Sequence, residues 1–136
     1  MSQWRLPSNL EDLLPSKAKK LETFRRNLID LFDSHGYQYI MPSLLEYDES
    51  LKAHGKDLDI DTYKVVDQLS GHMMGISSDL TTQASRVDAY LIQGSDKENK
   101  LCYAGPVLRT KSSQGHSREL FQVGLEYFGS ASLSAD

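Results

Sequence analysis

The stretch Leu101–Gly129, LCYAGPVLRTKSSQGHSRELFQVGLEYFG, commits the chain to a sheet. It reads as two strands joined by a polar loop. The second strand, Leu120–Phe128, alternates with period two, so its side chains divide between two faces. Phe121, Val123, Leu125 and Tyr127 form one face and read as core. Leu120, Gln122, Gly124, Glu126 and Phe128 form the other, where an amide and a carboxylate flank a glycine. A buried carboxylate without a partner is costly, so a cationic or hydrogen-bonding group is expected over Glu126. The first strand ends at Arg109, which by alternation shares a face with Tyr103, Gly105 and Val107. Two readings stay open from these residues. If the two polar faces coincide, the hairpin is the floor of a binding site, with an Arg at one end and a Glu at the other. Otherwise it is an ordinary antiparallel pair with one wet face.

The rest of the chain narrows the class. Its 136 residues suffice for one domain with a real core and not for two. Fifteen basic and nineteen acidic residues leave a net charge of −4, which argues against nucleic acid as the main partner. The single cysteine, Cys102, forms no internal disulfide and reads as a small buried hydrophobe in a reducing compartment. The N-terminal segment lacks the apolar run of a signal peptide, and no stretch approaches the roughly 20 apolar residues that span a bilayer. These features describe a cytoplasmic protein with no membrane partner.

In chain order, residues 1–14 read as an extended arm that Trp4 or Leu6 pins to the body. A helix begins near Pro15, with Leu21, Phe24, Leu28, Leu31 and Phe32 as its apolar stripe and Gly36 as its stop. Glu22 and Arg26 form a favourable i,i+4 pair on a solvated face. Tyr37–Met41 reads as an edge strand ended by Pro42. This helix–strand–Pro42 unit suits contact with a second subunit; an ordinary shielded edge is the plainer alternative. Leu44–Leu51 reads as a short helix ending near Gly55. Asp57, Asp59 and Asp61 alternate as in a calcium loop, but the motif's glycine and distal Glu are missing. Tyr63–Val66 and Met73–Ile76 read as strands flanking a turn at Leu69–His72. Thr81 or Thr82 is the expected cap of a helix running to about Ile92, with Ala84, Val87 and Leu91 buried. Gly94–Lys100 is a polar loop, and Gly129–Asp136 leads toward a further helix cap.

Much chemistry is excluded. His35, His54, His72 and His116 lack metal-ligand spacing, so no metal is expected. No serine elbow, P-loop or dinucleotide fingerprint is present, and no cofactor is implied. Asp79, Thr81, Arg109, Arg118, Gln122 and Glu126 remain. Two carboxylates with an amide and a hydroxyl suit an ammonium, and an Arg guanidinium suits a carboxylate or phosphate. A free amino acid carries both groups. Structural salt bridges would use the same residues.

Strand, Arg109, loop and strand together resemble motif 2 of class II aminoacyl-tRNA synthetases, and the helix, Gly36-Tyr37, strand and Pro42 resemble motif 1, the dimer interface of that family. Phe121–Gly129, FQVGLEYFG, is similar to the histidyl-tRNA synthetase version. Thr62–Ala89 more closely resembles the synthetase paralogues that serve as regulatory subunits of ATP phosphoribosyltransferase. Leu6-Pro7, Leu13-Leu14-Pro15, Met41-Pro42, Leu45-Glu46-Tyr47, Val66–Gly71 and Leu101–Gly105 fit the same family. The resemblance covers nearly the whole chain.

The resemblance implies an α+β fold, a class II synthetase-like antiparallel sheet flanked by helices. Residues 1–136 would be the N-terminal part of that core domain, since family members are longer. It implies a non-catalytic subunit that partners a short catalytic chain at the first step of histidine biosynthesis and transmits feedback inhibition by histidine. Asp79, Thr81, Gln122 and Glu126 would contact bound histidine, while Arg109 and Arg118 are candidate anion contacts. The departures bear on this. Ser77-Ser78-Asp79-Leu80-Thr81 stands where the synthetase has Arg-Pro-Glu-Gly-Thr, and Thr82 replaces the regulatory family's usual Pro. Lys111 stands where motif 2 has a Glu that serves ATP. The amino-acid half of the site is therefore expected to persist and the ATP half to be degraded. The alternative is a catalytic-core fragment of a histidyl-tRNA synthetase.

Overall fold

A computed structural model describes residues 4–52, 61–92, 98–112 and 115–130. Its elements run α1 (Pro15–Ser34), β1 (Gln38–Tyr39), β2 (Leu45–Tyr47), α2 (Asp48–Lys52), β3 (Lys64–Val66), β4 (Met73–Ile76), α3 (Leu80–Tyr90), β5 (Asn99–Leu108) and β6 (Glu119–Phe128). They build an α+β fold with two three-stranded sheets, ordered β1-β5-β6 and β2-β4-β3. The expected hairpin is present: β5 and β6 pair antiparallel from Asn99 opposite Phe128 to Leu108 opposite Glu119. The larger sheet is not wholly antiparallel, because β1 runs parallel to β5. The intervening chain between them, which includes the small sheet and α3, permits the crossover a parallel pair needs. β1 keeps its expected place at the edge but is shorter than the Tyr37–Met41 reading.

α3 packs on β5 and β6, while α1 packs on β1 and β5. Leu80, Ala84, Tyr103 and Val107 form a buried cluster, with Ile40, Leu120 and Phe128 against it. The core therefore lies on the face carrying Gln122, Gly124 and Glu126. This reverses the expectation for β6: Leu125, on the face read as core, is 42% exposed. Steric room decides the matter. Gly105 and Gly124 leave that face open for Leu80 and for the ring of Tyr103. Cys102 is fully buried, and burial first, then the charge of Asp33 on α1, pushes its thiol up. It is the inert hydrophobe expected.

α1 starts at Pro15 and stops at Gly36, whose φ of +81° suits glycine. Its apolar stripe is only partly covered: Leu21, Leu28 and Phe32 are half-buried, no α1 residue is fully buried, and Phe24 and Leu31 are 56% and 51% exposed. On its polar side Glu22 accepts from Arg25 Nε at 2.7 Å and Arg26 Nε at 2.8 Å. These bonds, Arg25's foremost, hold the Glu22 carboxyl at about 2. The N-terminal arm is anchored by neither Trp4, which is 96% exposed, nor the exposed Leu6. Asn9 does this work instead: its carbonyl accepts the Arg118 N–H at 2.8 Å, and its Nδ2 donates to Ser112 Oγ at 2.9 Å. Backbone polarity outweighs the exposed hydrophobes, because the Arg118 N–H beside the end of the hairpin ladder finds its acceptor in the Asn9 carbonyl.

Leu44–Leu51 departs from the helix reading, being the strand β2 followed by the short helix α2. Leu45 and Tyr47 flank Glu46 at strand spacing, and the β2–β4 register places Glu46 opposite Gly75. There Glu46, though a carboxylate, is buried in an ion pair with Arg86 of α3. Beside it, Lys64 Nζ meets Asp48 Oδ1 at 3.2 Å. The 69–72 turn forms as expected. Asp67 accepts from Ser70 Oγ at 2.5 Å and Leu69 N–H at 3.1 Å, and Gly71 takes φ +75°. Ser77 joins the sheets: its N–H donates to Leu44 O at 2.8 Å and its carbonyl accepts Leu108 N–H at 3.0 Å.

His35, His72 and His116 lie at the surface, whereas His54 and the Asp57–Asp59 part of the acidic alternation lie outside the described residues, as does 131–136. Among the described residues no helix is long and apolar enough to cross a membrane. The Glu46–Arg86 pair clamps the small sheet to α3, and removing one member of a buried pair leaves the other charge uncompensated. Glu46→Ala is expected to destabilise the fold by about 3 kcal/mol, read as a lowered urea midpoint.

Candidate functional site

The N-terminal end of α3 faces the β5–β6 floor, and one chain of hydrogen bonds joins them. Asp79, not Thr81 or Thr82, caps the helix. Its extended φ of −156° turns the chain into α3, and its Oδ1 accepts the Thr81 N–H at 2.9 Å. The swap follows from capping geometry: an N-cap side chain reaches the amide two or three residues ahead, and only Asp79 stands outside the helix. The same Oδ1 accepts from Gln122 Nε2 at 2.8 Å, and Gln122 Oε1 accepts the Leu80 N–H at 2.7 Å. Gln122 thus satisfies a first-turn amide that the helix leaves without a partner.

Further along the floor, the Tyr103 hydroxyl donates to Glu126 Oε1 at 3.1 Å and lies 2.8 Å from Thr81 Oγ1. Tyr103 sits directly opposite Gly124 in the β5–β6 register. A Cβ at 124 would overlap that hydroxyl and come within 2.7 Å of Tyr103 Cε2. Gly124 is therefore the opening through which Tyr103 reaches Glu126. The two polar faces do coincide, as one of the two sequence readings requires.

The structure brings Asp79, Thr81, Gln122 and Glu126 into this network. Asp79, half-buried, spends one oxygen on structure; among the described residues its Oδ2 makes no hydrogen bond. Arg109 continues the hairpin ladder, donating its backbone N–H to Arg118 O at 2.8 Å, while its Nε donates to Ser78 O at 3.3 Å. It braces the turn that carries Asp79. Arg118 lies apart from the network: its guanidinium rests 5.7 Å from the Tyr63 ring and Nη1 donates to the Tyr63 hydroxyl. Tyr103 was legible only as a face-mate of Arg109; the signal for its role is a large polar aromatic paired across strands with a glycine.

Two carboxylates, a hydroxyl and an amide lining a sheet floor suit a ligand rich in N–H donors. Among the described residues no three His, Cys, Asp or Glu side chains gather to hold a metal ion. Burial, and after it the Glu126 charge, push the Tyr103 hydroxyl above its ordinary value of 10.0. The fold thus favours the neutral phenol. Its stabilising share is complete below the unfolded value and is lost as pH rises through the folded one. Wild type is therefore expected to lose stability above pH 10 more steeply than Tyr103→Phe, measured by urea unfolding across that range. Gly124→Ala is expected to cost about 1–3 kcal/mol through overpacking against Tyr103, measured the same way at neutral pH.

Residues 9–136 match the histidyl-tRNA synthetase family. A Thiobacillus denitrificans protein named ATP phosphoribosyltransferase regulatory subunit is 50% identical over all of this chain, which spans 43% of that relative. A Burkholderia thailandensis protein of the same name is 49% identical over the whole chain, which spans 36% of it. The chain thus spans less than half the length of these relatives. A Bacillus halodurans structure described as an ATP phosphoribosyltransferase regulatory subunit/histidyl-tRNA synthetase superposes with a TM-score of 0.83 at 26% identity, covering 99% of this chain and 36% of that one. Apo histidyl-tRNA synthetase from S. aureus, at 20% identity and TM-score 0.77 over 98% of this chain and 31% of its own, shares the fold.

Proposed function

We propose, since the chain belongs to the histidyl-tRNA synthetase family, that it serves as the synthetase-like core of a non-catalytic regulatory subunit of ATP phosphoribosyltransferase. In this reading it partners the short catalytic chain in the cytoplasm, is needed for that chain's activity, and carries histidine as a feedback ligand. The observation that carries the proposal is the name borne by relatives about half identical along the entire chain. The site supports it. Asp79, Thr81, Gln122 and Glu126 keep the donor-accepting floor an amino acid needs, while Lys111 replaces the Glu that the synthetase pattern devotes to ATP. Adenylation requires a nucleotide held beside the amino acid, because proximity supplies much of the rate. Arg109, whose Nε is engaged at Ser78 O, braces the Asp79 turn. The exposed α1 stripe and the β1 edge ending near Met41-Pro42 support a homodimer through this unit.

Feedback needs only tighter histidine binding to the inhibited assembly than to the active one. Glu126→Gln is expected to raise the histidine Kd by about 10- to 100-fold, the worth of one hydrogen bond to a charged group. Calorimetry on the full chain checks this, and the assembled transferase should lose histidine inhibition in parallel. Unchanged binding would move the histidine site elsewhere. The retained motif 2 hairpin with Arg109 favours a second reading, a synthetase catalytic core. Histidine-dependent pyrophosphate–ATP exchange by the full chain decides for that reading, and its absence together with histidine binding decides for the regulatory one.

A further inference from the structure

Away from the histidine floor, a groove of about 340 Å³ runs between the N-terminal arm, α1 and the loop end of the β5–β6 hairpin. Leu13 of the arm, Leu21 of α1 and Phe121 of β6 give it an apolar lining, Leu21 and Phe121 being half-buried. Phe121 sits on the face of β6 opposite Gln122 and Glu126, so the groove is separate from that floor. Glu11, Asp12 and Glu119 stand exposed around it. Among the described residues no lysine, arginine or histidine lines the groove, and none of the three carboxylates forms a hydrogen bond or ion pair. Arg118, next to Glu119 in sequence, directs its guanidinium to the Tyr63 hydroxyl instead. The arm that forms one wall is fixed at both ends. Asn9, at φ +60°, accepts from the Arg118 N–H and the Ser117 hydroxyl, and Pro15 begins α1. A wall set in advance lowers the ordering cost of association.

We infer that this groove docks the catalytic chain of the transferase, through a basic segment whose lysine or arginine lays its stem on the apolar lining and its charge among Glu11, Asp12 and Glu119. The inference rests on the regulatory-subunit reading and adds a surface to it. Charge complementarity selects the occupant. A long basic side chain is apolar along its stem and cationic at its tip, which matches the groove from lining to rim. A second copy of this chain fits less well, because a two-fold contact centred here would set the carboxylates against their own copies. An acidic segment would be repelled in the same way.

The experiment measures binding of the full chain to the purified catalytic chain by calorimetry. The double variant Glu11→Lys, Asp12→Lys should weaken that binding by about a hundredfold, since it sets like charges against each other across the contact. Glu119→Gln, on the hairpin rather than the arm, should lessen the salt dependence of binding. Histidine affinity and the mass of the free full chain in sedimentation should not change. Catalytic-chain affinity unaltered by the double variant overturns the inference. A lowered free-chain mass overturns it as well, by placing a second copy in the groove. Amide exchange of the unsubstituted complex supplies a reading that no folding defect can mimic. The catalytic chain should slow exchange along residues 11–13, and exchange there as fast as in the free chain overturns the inference. Failure of wild type to bind the catalytic chain at all would instead sink the regulatory reading, so the two failures are distinct.

Discussion

The Gln122 side-chain amide is the joint on which the site depends. It accepts the Leu80 N–H and donates to the Asp79 cap, so a strand residue satisfies both the first turn of a helix and the carboxylate that starts it. The two bonds orient the first turn of α3 over the apolar cluster beneath it, where hydrophobic contact fixes depth but not direction. Together they set where Asp79 and Thr81 stand above the floor. The amide is also what makes a polar residue tolerable on a face that packs against Leu80 and Ala84, since a buried amide without partners would cost more than its packing returns.

Around that joint the fold is arranged to hold a turn still. Ser77 and Ser78 are buried and carry the chain from β4 into α3. Bonds from Ser77 tie the turn to residue 44 before β2 and to the end of β5, and the Arg109 guanidinium takes the Ser78 carbonyl. The Glu46–Arg86 pair fastens the middle of α3 to the small sheet. A loop entering a site is ordinarily the mobile part of a fold, and here Leu44, Leu108, Arg109 and Gln122 all bond to residues 77–79 of it. The proposed sensing role has use for such stiffness, because an ordered site loses less entropy on binding.

The hairpin, its register parity, α1 and the 69–72 turn were legible because period-two and period-3.6 patterns and glycine stops report backbone geometry directly. The direction of β6 was not. Phe121, Val123, Leu125 and Tyr127 are the more apolar set, yet the core formed on the other side. A helix approaches a sheet where glycines leave room, and residue counting does not weigh steric space. The Glu46–Arg86 pair went unread for a related reason, since a carboxylate buried in an ion pair carries no mark in sequence that separates it from a solvated one. The four acceptor residues were found through family resemblance and by elimination. Tyr103 escaped because its role needs the cross-strand pairing with Gly124, which only the register supplies.

Amide hydrogen exchange of the full chain, with and without histidine, tests the central claim most directly, because it reports on the floor and the helix start at once. The account predicts that histidine slows exchange at the Leu80 and Thr81 amides and along Leu101–Val107 and Leu120–Glu126. Histidine binding that leaves those segments unprotected, with slowing confined to other parts of the chain, would contradict it.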